Sequence, residues 1–168
     1  MKMLQDFLFV TYFCLVMIIL GGTVFAVMVE YPNWFAGVPS SLEVSRDFYR
    51  VLHPGYFFQI FGPLSLVAGA AFVIAGWRMR STRNLVLVSL GIFVAIELLT
   101  FIYIYPRLGI LFDPNVMSQP VNAIQQAAEQ FTTADRIRTA LAFIAGGFSI
   151  AALFKFFKYR YSAGLSQP

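Results

Sequence analysis

The chain has 168 residues, 59% of them hydrophobic and 12% charged, with a mean hydropathy of +0.73 and a formal net charge of +4. Soluble domains carry about 25% charged residues, so this composition excludes an ordinary water-soluble domain and points to a single transmembrane domain over residues 1–168. The basic residues cluster in short segments beside apolar runs, which argues against nucleic acid as a partner, and the lone Cys14 excludes an intrachain disulfide or a Cys-x-x-Cys site.

About 20 apolar residues span a bilayer as a helix. Four segments meet that requirement, at roughly 7–29, 55–77, 85–105 and 137–157. The first has a longer apolar run than a signal-peptide core and no small-x-small cleavage site, so it reads as a retained helix. The connection after it contains PSSLEVSRDFYRVLHP. A serine pair followed by Glu43 is a helix-start signal. Leu42, Val44, Phe48, Val51 and Leu52 fall loosely on one face, which predicts a short interfacial helix closed by Pro54. His53 stands at the entrance of the second span and Gln59 slightly deeper.

The second connection, WRMRSTRN, holds Arg78, Arg80 and Arg83 and no acid. The third span carries Glu97 inside GIFVAIELLTFIYIYPR. In the third connection a helix is expected from about Val121 to Gln130, with Thr132, Thr133 or Asp135 capping the fourth span. Arg138 lies one turn into that span, which ends in the acid-free KFFKYRY. The positive-inside rule places both termini and the second connection in the cytoplasm, with a bacterial inner membrane as the expected host. The fold expected is all-α: an integral membrane antiparallel four-helix bundle with short helices in its two outer loops. Gly69, Gly76, Gly91, Gly146 and Gly147 permit close helix contacts, in GAAFVIAG and AFIAGG above all. No internal repeat is readable.

A carboxylate inside a membrane is a functional-site hypothesis by default. Glu97 lies about 12 Å below the outer end of its helix at 1.5 Å per residue, and Arg138 is the cation best placed by depth to meet it. The expectation is that Arg138 holds Glu97, with His53 and a tyrosine hydroxyl nearby. Glu30, Tyr56, Gln59, Tyr103 and Arg107 share that level and complete a candidate ligand-binding set. In such a site His53 and Glu97 would serve as acid or base, and Arg138, with Arg107, would stabilise an oxyanion. The plainer reading is a structural Glu–Arg pair, an interfacial histidine and tyrosines of the aromatic belt.

Glu30, Glu97 and His53 would suit iron or manganese. The lone histidine, the absence of Glu-x-x-His and the competing arginines argue against it, so neither metal nor cofactor is expected. Bis-histidine haem is impossible in one chain, which leaves a one-ligand haem through His53 as the alternative. The partners implied are the lipid bilayer, a hydrophobic small molecule, and a membrane-protein partner or further copies of the chain.

The layout resembles the anthrone-oxygenase-like family of small four-helix membrane proteins. The features that carry this are Gly21-Gly22 and EYP in the first helix, LHPGYFFQIFGP, YIYPRLGILF, and TTADRIRT before ALAFIAGGFSI. The family's arginine at the entrance of the fourth helix matches Arg138, whereas its usual preceding tryptophan is replaced here by Phe131 or Thr132. The resemblance implies a cofactor-independent oxygenase acting on a reduced phenolic or quinone-like molecule. The alternative is a non-catalytic subunit or assembly factor of a larger membrane complex, in which Glu97 and Arg138 only lock the bundle. A coupled transporter is a third reading, weakened by the single deep acid and the absence of repeats.

Overall fold

With no water in a bilayer to satisfy backbone N–H and C=O groups, an apolar chain crosses it as a helix. The computed structural model describes residues 1–164, and these are helical apart from short connections. Helix α1 runs Lys2–Trp34, α2 Ser40–Phe48, α3 Pro54–Ala75, α4 Arg80–Leu111 and α5 Val121–Gly164. All except α2 are long and apolar enough to cross a membrane, and they make this an integral membrane protein. Phe25, Val67, Ile74, Ile102 and Phe154 lie exposed on their outer faces, as lipid contact requires.

The long helices form a ring in the order α1, α3, α4, α5, each antiparallel to its neighbours, with α1–α3 and α4–α5 the most extensive contacts. One end carries the termini and the α3–α4 turn; the other, the loop end, carries the two longer connections. A first core lies between the helices around Phe9, Tyr12, Phe72, Phe93 and Phe156. At 1.5 Å per residue α5 is about 66 Å long, more than the roughly 40–45 Å of a bilayer with its headgroups. It therefore projects beyond the membrane at the loop end. There Trp34, Leu42, Leu111, Ile124 and Phe131 build a second core that caps the bundle.

Several expectations are corrected by this architecture. The helix expected at Val121–Gln130 is present but does not stop; it continues as α5, so Thr132 and Asp135 lie in mid-helix and cap nothing. Thr132 instead donates to the Ala128 carbonyl at 2.8 Å. The only separate structure in that connection is a 3₁₀ turn, Val116–Ser118. Helix α2 ends at Phe48, before Pro54, and its serines do not cap it: Ser40 and Ser41 donate back to the carbonyls of Gly37 and Trp34. Leu42 enters the cap core while Val44 and Phe48 stay exposed. Gly69 does mark a close contact, since a Cβ there would stand 2.6 Å from Leu90 and 2.9 Å from Tyr12. Gly91 and Gly147 face open space instead.

A repeated device also emerges where no repeat was read. Helices α1 and α4 both reach a Tyr-Pro pair, Tyr31-Pro32 and Tyr105-Pro106. Proline offers no N–H and its ring clashes with the carbonyl four residues back. Each helix widens to a π turn just before the pair, over Ala26–Glu30 and Thr100–Ile104. The Tyr31 N–H bonds to the Ala26 carbonyl and the Tyr105 N–H to the Thr100 carbonyl. In each case the residue after proline turns its side chain back to the carbonyl four residues earlier: Asn33 to Val29 at 2.7 Å, Arg107 to Tyr103 at 3.1 Å.

Candidate functional site

Below the cap, the four long helices leave a cavity of about 110 Å³. Its polar lining comes from Thr23 on α1, Gln59 on α3, Glu97, Thr100 and Tyr105 on α4, and Arg138 on α5; the rest is largely apolar, including Phe58, Phe93 and Ile96. Thr23 and Glu97 each stand eight residues before the tyrosine of their Tyr-Pro pair, so the shared device delivers both to one space. Thr23 and Thr100 spend their hydroxyl protons on Ile19 and Ile96 of their own helices.

Glu97 is not held by Arg138. It makes no ion pair and no hydrogen bond among the described residues. Its carboxylate lies against the backbone of α3, where a Cβ on Gly62 would sit 2.6 Å from Oε1. Only glycine permits that approach. Next to it, Pro63 removes the N–H that would have bonded to the Gln59 carbonyl one turn back, so the helix is polar where the carboxylate meets it.

Arg138 is engaged elsewhere. It pairs with the buried Asp135 one turn earlier on α5, and its Nη2 donates to the Tyr31 hydroxyl at 2.8 Å. Tyr31 donates to Asp135 Oδ1 at 3.2 Å, and Thr139 to Oδ2 at 3.4 Å. Asp135 could be recognised as the partner only once α5 was known to be continuous through it, because residues three apart on a helix are neighbours. Arg138 Nε and Nη1 carry no hydrogen bond among the described residues, and the guanidinium lies 5.6 Å from the Phe58 ring centroid on the cavity wall.

A wider vestibule of about 490 Å³ adjoins the cavity towards the loop end, lined by Trp34, Arg46, Tyr49, His53 and Phe112 among others. The two spaces share Gln59 and Tyr105, whose side chains are hydrogen-bonded at 3.2 Å. His53 is thus in the vestibule, exposed and tilted against Tyr56 with ring centroids 4.4 Å apart, and it does not line the Glu97 cavity. Glu30 is buried under the cap and accepts from the Tyr49 hydroxyl at 3.1 Å. Burial first, then the Glu30 charge and that hydrogen bond, push the Tyr49 hydroxyl above its usual range, with the Trp34 indole acting in the opposite sense. Arg107 lies 3.6 Å over the Tyr103 ring and donates to Gln130 at 3.1 Å, outside the cavity. The structure therefore brings together Glu97, Arg138 and Gln59, and leaves His53, Glu30, Tyr56, Tyr103 and Arg107 elsewhere. Glu30, Glu97 and His53 do not converge, and among the described residues no three acids, histidines or cysteines form a cluster able to hold a metal.

A second polar group went unread in the sequence. Near the terminal end, Tyr12 bonds to Ser149 at 2.8 Å, Ser149 to Ser89 at 3.0 Å, and both serines to the Ala145 carbonyl. It ties α1, α4 and α5 with neutral groups alone. Comparison with protein-family models, curated proteins and solved structures gave no match.

Proposed function

We propose that the protein binds a hydrophobic small molecule bearing an acidic hydroxyl, a phenol, enol or quinol, with that group beside Glu97. The observation that carries this is an intramembrane carboxylate, unpaired among the described residues, on the wall of a cavity that Arg138 also lines. Glu97 would take the proton, and Arg138 with Gln59 and Tyr105 would stabilise the oxyanion. A cavity of about 110 Å³ is smaller than the 150 Å³ engineered cavity that accepts benzene. The reacting edge of the ligand would enter it, and the body would lie in the aromatic vestibule. Carried to catalysis, the resemblance adds dioxygen as the oxidant of the resulting phenolate or carbanion, without a cofactor.

The subunit reading needs a charge-paired lock, and Tyr31, Asp135 and Arg138 form one. That lock leaves Glu97 outside it, which favours the ligand reading. We further propose that both termini face the cytoplasm of a bacterial inner membrane, supported by the cations at the terminal end. A reporter fused after the last residue checks the orientation.

Titration of the nanodisc-embedded protein with 1-naphthol, followed by tryptophan fluorescence, tests the ligand reading, since Trp34 lines the vestibule. Saturable binding that weakens at least about tenfold in Glu97→Gln, the loss of one charge-assisted hydrogen bond, is the expected result. Equal binding by the two proteins, with no small molecule retained on purification, would sink it.

A further inference from the structure

At the terminal end, the α3–α4 turn and the last turns of α5 enclose a polar depression of about 480 Å³. Arg78, Arg80, Lys155 and Lys158 line it, and among the described residues no carboxylate does. Helix α4 starts there without a side-chain cap and without an acid in its first turn. Its free N–H groups and the positive end of its dipole add to the charge of the side chains. A helix start decides nothing by itself, but Thr82 supplies an independent observation. It is 1% exposed, lines this depression, and its hydroxyl makes no hydrogen bond among the described residues. A hydroxyl on the wall of the depression can donate to an oxygen-rich anion seated above it.

The level of the depression narrows the choice of anion. Trp77 in the same turn is 64% exposed, and Tyr159 on the wall is also exposed; such residues sit at the membrane–water interface. Arg83 is committed outside the depression, 4.2 Å over the Trp77 ring and bonded to the Trp77 carbonyl and Asn84. We propose that the depression is a phosphate site, filled by the headgroup of an anionic phospholipid, with cations from α5 and from the α3–α4 turn closing on the phosphate. The site is independent of Glu97 and of any ligand bound there.

Native mass spectrometry of the detergent-purified protein, titrated with phosphatidylglycerol and with phosphatidylcholine, tests this. Phosphatidylglycerol should bind at least about tenfold more tightly, at roughly fivefold per engaged cation. The double substitution Lys155→Gln and Lys158→Gln should lose about twentyfold of that affinity, and Thr82→Val about threefold. Arg83→Gln should lose none, and the melting temperature of each variant checks that it is folded. Inorganic phosphate added as competitor distinguishes the source: displacement at low millimolar concentration means that the phosphate group alone is read, and no displacement means that the lipid is needed. No preference for phosphatidylglycerol together with no binding of phosphate overturns the proposal. So does an Arg83→Gln loss of about fivefold, that of one engaged cation, which would mean diffuse surface charge and no site.

Discussion

The bundle carries two polar centres built on opposite terms. Near the terminal end, Tyr12, Ser89 and Ser149 are neutral, buried and mutually satisfied. Towards the loop end, Glu97 is ionisable, unpaired and open to a cavity. Buried polar groups in a membrane interior find partners because leaving them unmade is costly. The first centre obeys that rule. The second departs from it, and the departure is local: Arg138, on the adjoining helix, has its charge balanced by Asp135 and its Nη2 bonded to Tyr31. The fold thus supplies a charge-paired lock and an unpaired carboxylate side by side, and they should respond differently to substitution.

The largest expected effect is at the lock. Asp135→Ala leaves Arg138 without its buried counter-charge, and loss of one partner of a buried pair costs about 3–5 kcal/mol. Unfolding of the detergent-solubilised protein should show a loss near the lower end, about 3 kcal/mol, because Tyr31 still accepts from Arg138. A loss below about 1 kcal/mol, the level of a surface pair, would mean that the lock does not bear on stability. Tyr12→Phe comes next. It removes one of several hydrogen bonds in the neutral centre, and such bonds within membranes contribute about 0.6–1.7 kcal/mol. The same unfolding measurement should read a loss of about 1 kcal/mol, without change in naphthol binding.

Gly62→Ala is the sharper test of the contrast. The added methyl would stand 2.6 Å from Glu97 Oε1 and 3.6 Å from its Cδ. The carboxylate is the end of a flexible side chain and can move, so stability should fall by no more than about 1 kcal/mol. It moves, however, into the space the ligand needs. Naphthol binding should therefore weaken about as much as in Glu97→Gln, tenfold or more. Unchanged binding in Gly62→Ala would place the ligand away from the carboxylate.

Much of this was legible in the sequence, and the residues that were not share a cause. The four long helices and their antiparallel order follow from apolar run lengths, and α4 and α5 are indeed neighbours, but α4 runs on from Tyr105 to Leu111, so Glu97 lies about 21 Å below its end instead of about 12 Å. Position along a helix is readable because helices rise by a fixed amount per residue. The rotation of each residue about its helix is not, because lipid-facing and core-facing surfaces are both apolar and the usual polar stripe is missing. Arg138 was therefore matched to Glu97 by depth alone. Asp135 was set aside as a cap because the apolar run begins at Ile137, whereas the helix itself begins sixteen residues earlier at Val121. The neutral Tyr12–Ser89–Ser149 centre escaped notice because single hydroxyls in apolar runs carry no charge signal.

His53 gives the smallest expected effect and the plainest test of where chemistry takes place. It precedes Pro54, and a residue before proline is driven to extended backbone; here φ is −103° and ψ 156°. The chain at His53 has therefore not yet entered α3, and the imidazole lies over Tyr56 at the vestibule wall. Between it and Glu97 stand Gln59 and Tyr105, hydrogen-bonded to each other. An imidazole in that position can shape entry but cannot take a proton from a group seated beside Glu97. His53→Ala should leave stability within about 0.5 kcal/mol, as for a typical exposed substitution. The naphthol affinity should change less than about twofold, with the pH dependence of binding preserved. A pH profile that flattens in this variant would move the acid–base group from the cavity to the vestibule, and with it the site.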